Sequence, residues 1–152
     1  MSIVPNAVLN ILLVEDDMDD IQSFNEAIQK LDFISEITVV STCDHLFAQL
    51  EAGKVFDLIF MDINLPLVNG KECLRKIKIA EKFRDIPIVM FTGSSSDTDV
   101  QDAYENGAHY HVVKPYAHIN YVESLKIVLK ENWKEKPARP PKENFVVNLT
   151  FN

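Results

Sequence analysis

Five short apolar runs, each followed by a stretch with helical spacing, set the limits on what this chain can fold into. The runs are LNILLV (9–14), ITVVST (37–42), FDLIFMD (56–62), IPIVMFT (86–92) and HYHVV (109–113). Each has the length of a strand, and most are nearly continuous in apolar residues, as strands buried on both faces are. Ile21, Phe24, Ile28 and Leu31 recur at helical spacing after the first run, and Leu46, Phe47 and Leu50 mark a short helix that Gly53 closes. Cys73, Leu74 and Ile77 face inward from a helix predicted over 70–83. Val100, Ala103 and Tyr104 lie on a helix that Ser95, Ser96 or Asp97 can cap and that stops at Gly107. Ile119, Val122, Leu125, Val128 and Leu129 form the buried stripe of a last helix ending near Trp133. Strands alternating with helices in this way predict an α/β fold, a doubly wound five-stranded parallel sheet with helices on both faces.

The length of 152 residues, with 47% hydrophobic and 25% charged, suits one globular domain with a sizeable core. A net charge of -8 argues against nucleic acid or an anionic membrane as partner, since both call for clustered Lys and Arg. It suits a cation or a basic protein surface. No apolar run reaches the length of a membrane span, and MSIVPNAVLN lacks the pattern of a signal peptide, so the expected location is cytoplasmic. Cys43 and Cys73 have no CxxC spacing and are expected as small buried residues rather than ligands or nucleophiles. His45, His109 and His118 are expected at the surface, Trp133 as a packing residue at a helix end, and Tyr104 and Tyr116 in packing or at the rim.

In a doubly wound sheet, ligands bind outside the carboxyl ends of the strands. The first strand here ends in Glu15 and Asp16, the third in Asp62, the fourth in Thr92 and the fifth in Lys114. Asp17, Asp19 and Asp20 add to the acidic crowd. Two unit charges ~4 Å apart repel by ~4 kcal/mol at an effective dielectric near 20, so such a cluster calls for a cation. Mg²⁺ takes oxygen ligands and usually shares its site with a phosphate, which it polarises for attack. Asp62, alone on its strand, is then the natural nucleophile. Lys114 and the Thr92 hydroxyl can hold the phosphoryl oxygens. Asp17 reads as the N-cap of the first helix.

The acidic pair ED after ILLV, then MDINLP, FTG and VVKP in that order on those strands, resemble the receiver domain of two-component response regulators. The resemblance covers about residues 9–133 and is to a stand-alone, CheY-like member. It implies a sheet order of 2-1-3-4-5 and a phosphorylation-dependent signalling switch. The phosphoryl group would come to Asp62 from a sensor histidine kinase or a histidine phosphotransfer protein. By position, Mg²⁺ would be held by Glu15, Asp16, Asp62 and the backbone carbonyl of Asn64. Thr92 and Lys114 would bind the phosphoryl group, and Thr92 with His111 would form the switch. His111 departs from the pattern, because the family usually has Tyr or Phe there. The resemblance also implies a cis Lys114–Pro115 bond, a small Gly93 that leaves the site open, and a turn at Asn69 and Gly70. Catalysis would extend only to the chain's own phosphorylation and autodephosphorylation. Output would be protein contact through the fourth helix, fifth strand and fifth helix, with a second copy meeting that face or the tail.

Two other readings share the architecture. A flavodoxin-like cofactor binder needs a Gly- or Ser/Thr-rich phosphate loop where this chain has acids. A Mg²⁺-dependent phosphatase with an aspartate nucleophile wants a second acid at position 64, which is Asn. The segment 134–152 stands apart as a Pro-containing linker followed by a strand-like tail. In FVVNLTF, alternation puts Phe145, Val147, Leu149 and Phe151 on one face. The expectation is that this strand docks on a sheet edge, that of a second copy, by strand addition; a disordered tail is the alternative.

Overall fold

A computed structural model describes residues 8–32 and 35–150. The elements run β1 (Leu9–Val14), α1 (Met18–Gln29), β2 (Ser35–Val40), α2 (Cys43–Glu51), β3 (Leu58–Met61), α3 (Gly70–Ile79), β4 (Ile88–Thr92), α4 (Asp97–Glu105), β5 (Tyr110–Val113), α5 (His118–Leu129) and β6 (Val146–Asn148). The strands form one parallel sheet in the order β2-β1-β3-β4-β5-β6. The predicted five-strand order is therefore present, with a sixth strand added beside β5.

Each face of the sheet has its own core. Leu12, Val14, Ile59, Met61, Ile88 and Met90 meet α2, α3 and α4 on one side. Ile11, Leu13, Phe60, Val89, Phe91 and Val112 meet α1 and α5 on the other. Strand alternation produces this division directly. Phe24, Phe60, Phe91 and Tyr121 stack edge to face through the second core, with centroids 5.0–5.9 Å apart.

Local chemistry sets the helix ends. Asp17 caps α1 by accepting from the Asp20 N–H, and Ser96 caps α4 through the Asp99 N–H. Gly53 and Gly107 follow α2 and α4 with φ of +88° and +89°, the left-handed conformation that stops a helix at small steric cost. The helix predicted over 70–83 ends earlier, at Ile79, where Ala80 turns extended. Lys78 Nζ donates to the carbonyls of Arg84 and Ile86 and so secures the turn that follows.

Several expectations need correction. Ile119 is 72% exposed, because it falls in the first turn of α5, off the stripe made by Tyr121, Leu125 and Val128. His109 is part-buried: its ring lies edge-on to Trp133 and its Nε2 donates to the Pro137 carbonyl. Cys43 and Cys73 are buried but paired in a disulfide that ties the start of α2 to α3. The Lys114–Pro115 bond is trans, as are the other peptide bonds of the described residues. Among the same residues, no helix is long and apolar enough to cross a membrane.

The tail docks on its own sheet rather than on a second copy. β6 runs parallel to β5, pairing Val146 with His111 and Val147 with Val112, so the backbone groups that β5 would present to solvent are bonded. Phe145 and Val147 do not share a face. Phe145 closes a 3-10 turn with helical φ and ψ, which breaks the alternation before the strand begins. Its ring enters the α4 side against Tyr104, while Val147 enters the α5 side. Arg139 secures the return, lying 4.2 Å over the Tyr104 ring and donating to the carbonyls of Ala108 and Tyr104. Phe151 lies outside the described residues.

If the tail belongs to the core in this way, Phe145→Ala should lower unfolding free energy by about 3–4 kcal/mol, the usual cost of emptying a buried phenylalanine site. Val146→Ala, at a partly exposed position, should change it by less than about 0.5 kcal/mol. Urea titrations of the full chain measure both. Equal effects would show that Phe145 is not packed as described.

Candidate functional site

The site forms where the sheet reverses direction. β1 hands the chain outward to β2, and β3 then returns on the opposite side of β1, which leaves a crevice at the carboxyl ends of the strands. The register brings the ends level. Val14 pairs with Met61 and the Asp62 N–H donates to the Val14 carbonyl, so Glu15 and Asp62 emerge side by side. Thr92 pairs with Val113 and accepts the Lys114 N–H at its carbonyl, so those two residues share the opposite wall.

Gly70 permits the close approach of α3. A Cβ there would lie 2.0 Å from the Asp62 carbonyl oxygen, and the Gly70 N–H donates to the Ile63 carbonyl. Asn69 caps the same helix through the Glu72 N–H. The start of α3 therefore braces the loop that carries Asp62. On the other wall, the position of the Gly93 Cβ has nothing within 4 Å, which leaves the mouth open.

The side chains converge on Lys114. Its Nζ donates to Glu15 Oε1 at 2.6 Å, Asp20 Oδ2 at 2.9 Å and Asp62 Oδ2 at 3.1 Å. Glu15 Oε2 accepts the N–H groups of Asp16 and Asp17, and Asp62 Oδ1 accepts that of Asn64. Glu15, Asp62 and Thr92 are buried, and the Thr92 Oγ1 has no hydrogen-bond partner. Asp16 and Asn64 are exposed. Sequence reasoning overlooked Asp20. It lies in the first turn of α1, at a position where helix geometry turns its side chain back toward the strand ends.

Burial pushes the Glu15 carboxyl up to about 7 against the lowering pull of Lys114. Burial works against the Lys114 ammonium as well, but the charges of Asp62 and Glu15 outweigh it and hold the group above its ordinary value. Ligand oxygens of Glu15, Asp20 and Asp62 lie within 4.8 Å of one another. This all-carboxylate set fits a hard divalent cation.

His111 is fully buried on β5 and its Nε2 donates to the Ser94 carbonyl at 2.8 Å, two residues beyond Thr92. Its backbone N–H donates to the Phe145 carbonyl. Burial depresses the ring below its usual range, although the Ser94 carbonyl favours the charged form.

The family model of the response regulator receiver domain matches residues 11–126. The chain belongs to that family. It is similar to the probable methanogenesis regulatory protein FilR2 of Methanothrix harundinacea, 31% identical over 81% of this chain and 82% of that protein. It is 32% identical to the transcriptional regulatory protein CiaR of Streptococcus pneumoniae over 95% of this chain, and spans 62% of CiaR. Among solved structures, the phosphorylated cyanobacterial phytochrome response regulator RcpA superposes with a TM-score of 0.76 at 27% identity, covering 89% of this chain and all of RcpA. The Mn²⁺-bound form of response regulator Rcp1 gives 0.73 at 25% identity, covering 88% and 99%. This is a receiver domain of the two-component class, a phosphorylation-dependent signalling module, and that membership displaces the flavin-binder and phosphatase readings.

The depressed His111 of this receiver domain makes its stability depend on pH. The unfolded chain takes up a proton as pH falls through about 6.5 that the folded ring refuses, so His111 favours the folded state above that value and less below it. His109 is depressed by burial in the same way. Melting temperature should therefore fall less between pH 7.5 and 5.5 in His111→Phe than in wild type; in both proteins His109 adds to the fall and Glu15, whose raised carboxyl takes up a proton in the folded state over this window, opposes it. Parallel pH profiles of the two proteins would argue against a neutral, buried His111.

Proposed function

We propose that Asp62 accepts a phosphoryl group from the phosphohistidine of a sensor histidine kinase or a histidine phosphotransfer protein, with Mg²⁺ as cofactor. The observation that carries this reading is the buried Asp62 carboxylate, held 3.1 Å from Lys114 beside Glu15. An Asp62 oxygen attacks phosphorus as the phosphorus–nitrogen bond of the donor breaks, and the imidazole leaves with its electron pair. Mg²⁺, when bound, offsets the charge of donor and acceptor and polarises the phosphoryl group. Glu15, Asp16, Asp62 and the Asn64 carbonyl are the positional candidates to hold it, and Asp20 lies beside them, bonded to Lys114. Lys114 donates to a phosphoryl oxygen. The Thr92 hydroxyl, which lacks a partner, supplies a second donor.

Thr92 and His111 then form the switch. The bond from the His111 ring to Ser94 and that from its backbone to Phe145 give this reading its physical support. The side chains of Met18, Leu67, Tyr116 and Ile119 are largely exposed on the loops and helix starts around the site, an apolar rim suited to a protein partner. Downstream contact runs through α4, β5 and α5 with β6 along their border. A second copy would meet the same surface. The chain acts on no diffusible substrate, and its chemistry is limited to its own phosphorylation and hydrolysis.

Incubated with Mg²⁺ and acetyl phosphate, wild type should gain one phosphoryl mass and Asp62→Asn none. A phosphorylated mutant would remove Asp62 from the acceptor role. Mg²⁺ at ~100 times its dissociation constant should stabilise wild type by ~2.7 kcal/mol. Asp62→Asn should lose most of that shift, and a wild-type melt indifferent to millimolar Mg²⁺ would count against the cofactor.

A further inference from the structure

An ammonium has three N–H donors, and at Lys114 all three are engaged by carboxylates. The three partners differ. Glu15 and Asp62 follow directly from strand ends and are buried, whereas Asp20 sits on α1 with its side chain 37% exposed. Asp20 is nevertheless fixed in place. Its N–H donates to the Asp17 cap and its carbonyl accepts from the Tyr121 hydroxyl of α5, at 3.5 Å.

A divalent cation held by Glu15 and Asp62 takes the same oxygens that hold Lys114, and it repels the ammonium. Of the three partners, Asp20 is the one that a cation on Glu15 and Asp62 leaves free. We propose that Asp20 is the positioning residue for Lys114: it keeps the ammonium at the site when a cation occupies Glu15 and Asp62. The proposal rests on the reading above, in which the cation and Lys114 serve phosphoryl transfer together. Asp20 touches the lysine rather than the reacting atoms. Its carboxylate balances the lysine charge, so cation and ammonium can be present at once.

The charge argument predicts a coupling. Asp20→Asn keeps the size of the side chain and removes its charge, so Mn²⁺ should bind about tenfold more weakly, as measured by the free-ion signal in electron paramagnetic resonance. In a Lys114→Met background, the same substitution should cost clearly less, because no ammonium remains to be balanced and only the direct pull of the Asp20 charge on the cation is lost. Asp20→Glu should restore affinity to within about threefold of wild type. At saturating Mg²⁺, Asp20→Asn should label from acetyl phosphate about fivefold more slowly than wild type, since its lysine is no longer held. Far-ultraviolet circular dichroism and melts without metal verify that each variant is folded.

Equal loss of Mn²⁺ affinity in both backgrounds would overturn the proposal and make Asp20 a direct ligand. An unchanged affinity, or an unchanged labelling rate at saturating Mg²⁺, would also overturn it. Wild type that fails to bind Mn²⁺ at all would overturn the cofactor reading and this proposal together, an outcome distinct from the other three.

Discussion

The Lys114 ammonium makes the mouth of this sheet possible. Glu15, Asp20 and Asp62 bring three carboxylates within reach of one another, two of them buried. At ~4 Å and an effective dielectric near 20, each like-charged pair costs ~4 kcal/mol. Each contact with Lys114 returns an attraction of similar size, so one lysine offsets most of the cluster without neutralising it. The balance remains anionic, and burial, helped by the Asp62 charge, pushes the Glu15 carboxyl up to about 7. Buried ion pairs seldom add stability once desolvation is counted. Such a cluster makes chemical sense as a seat for a cation and a phosphoryl group.

The rest of the fold holds that cluster in register. β1 and β3 lie side by side because the chain reverses direction between them, and the reversal places Glu15 next to Asp62. Gly70 brings α3 onto the backbone of Asp62. The edge-to-face aromatics under α1 and α5 extend to Phe91, whose ring lies 5.9 Å below the Lys114 ammonium. The lysine therefore rests on the apolar core while its charge faces the acids, an arrangement that favours a long side chain with a compact head.

Features governed by local chemistry were legible in the sequence. The apolar runs became β1 to β5, Asp17 and Ser96 are caps, and Gly53 and Gly107 close their helices. The strand-end residues Glu15, Asp62, Thr92 and Lys114 do converge on one rim. What escaped depends on contacts distant along the chain. The pairing of Cys43 with Cys73 joins two helices whose approach no spacing rule encodes. Asp20 looked like one more acid on a solvated helix start, and its bond to Lys114 spans most of the domain. Phe145 read as part of an alternating strand because nothing local distinguishes it from Val147; its helical backbone at the end of the 3-10 turn breaks the alternation, where the linker returns over Tyr104.

Two histidines, His109 part-buried and His111 buried, show how that return is tied to the site. His109 and His111 belong to the β5 edge, and each uses Nε2 to bond a carbonyl of a flanking segment: Pro137 in the linker for His109, Ser94 beyond Thr92 for His111. A carbonyl accepts only, so each Nε2 must carry the proton, and each Nδ1 is then left bare. Both Nδ1 atoms are buried without a partner, an unmade bond that costs on the order of 1–3 kcal/mol. A phenylalanine at position 111 would avoid that cost and fill the space, but it could not hold Ser94. The His111 N–H also donates to the Phe145 carbonyl. One residue therefore bonds the loop after Thr92 through its ring and the residue that leads into the sixth strand through its backbone. Only the ring bond to Ser94 depends on the histidine side chain, since any residue but proline at position 111 could donate the backbone N–H to Phe145.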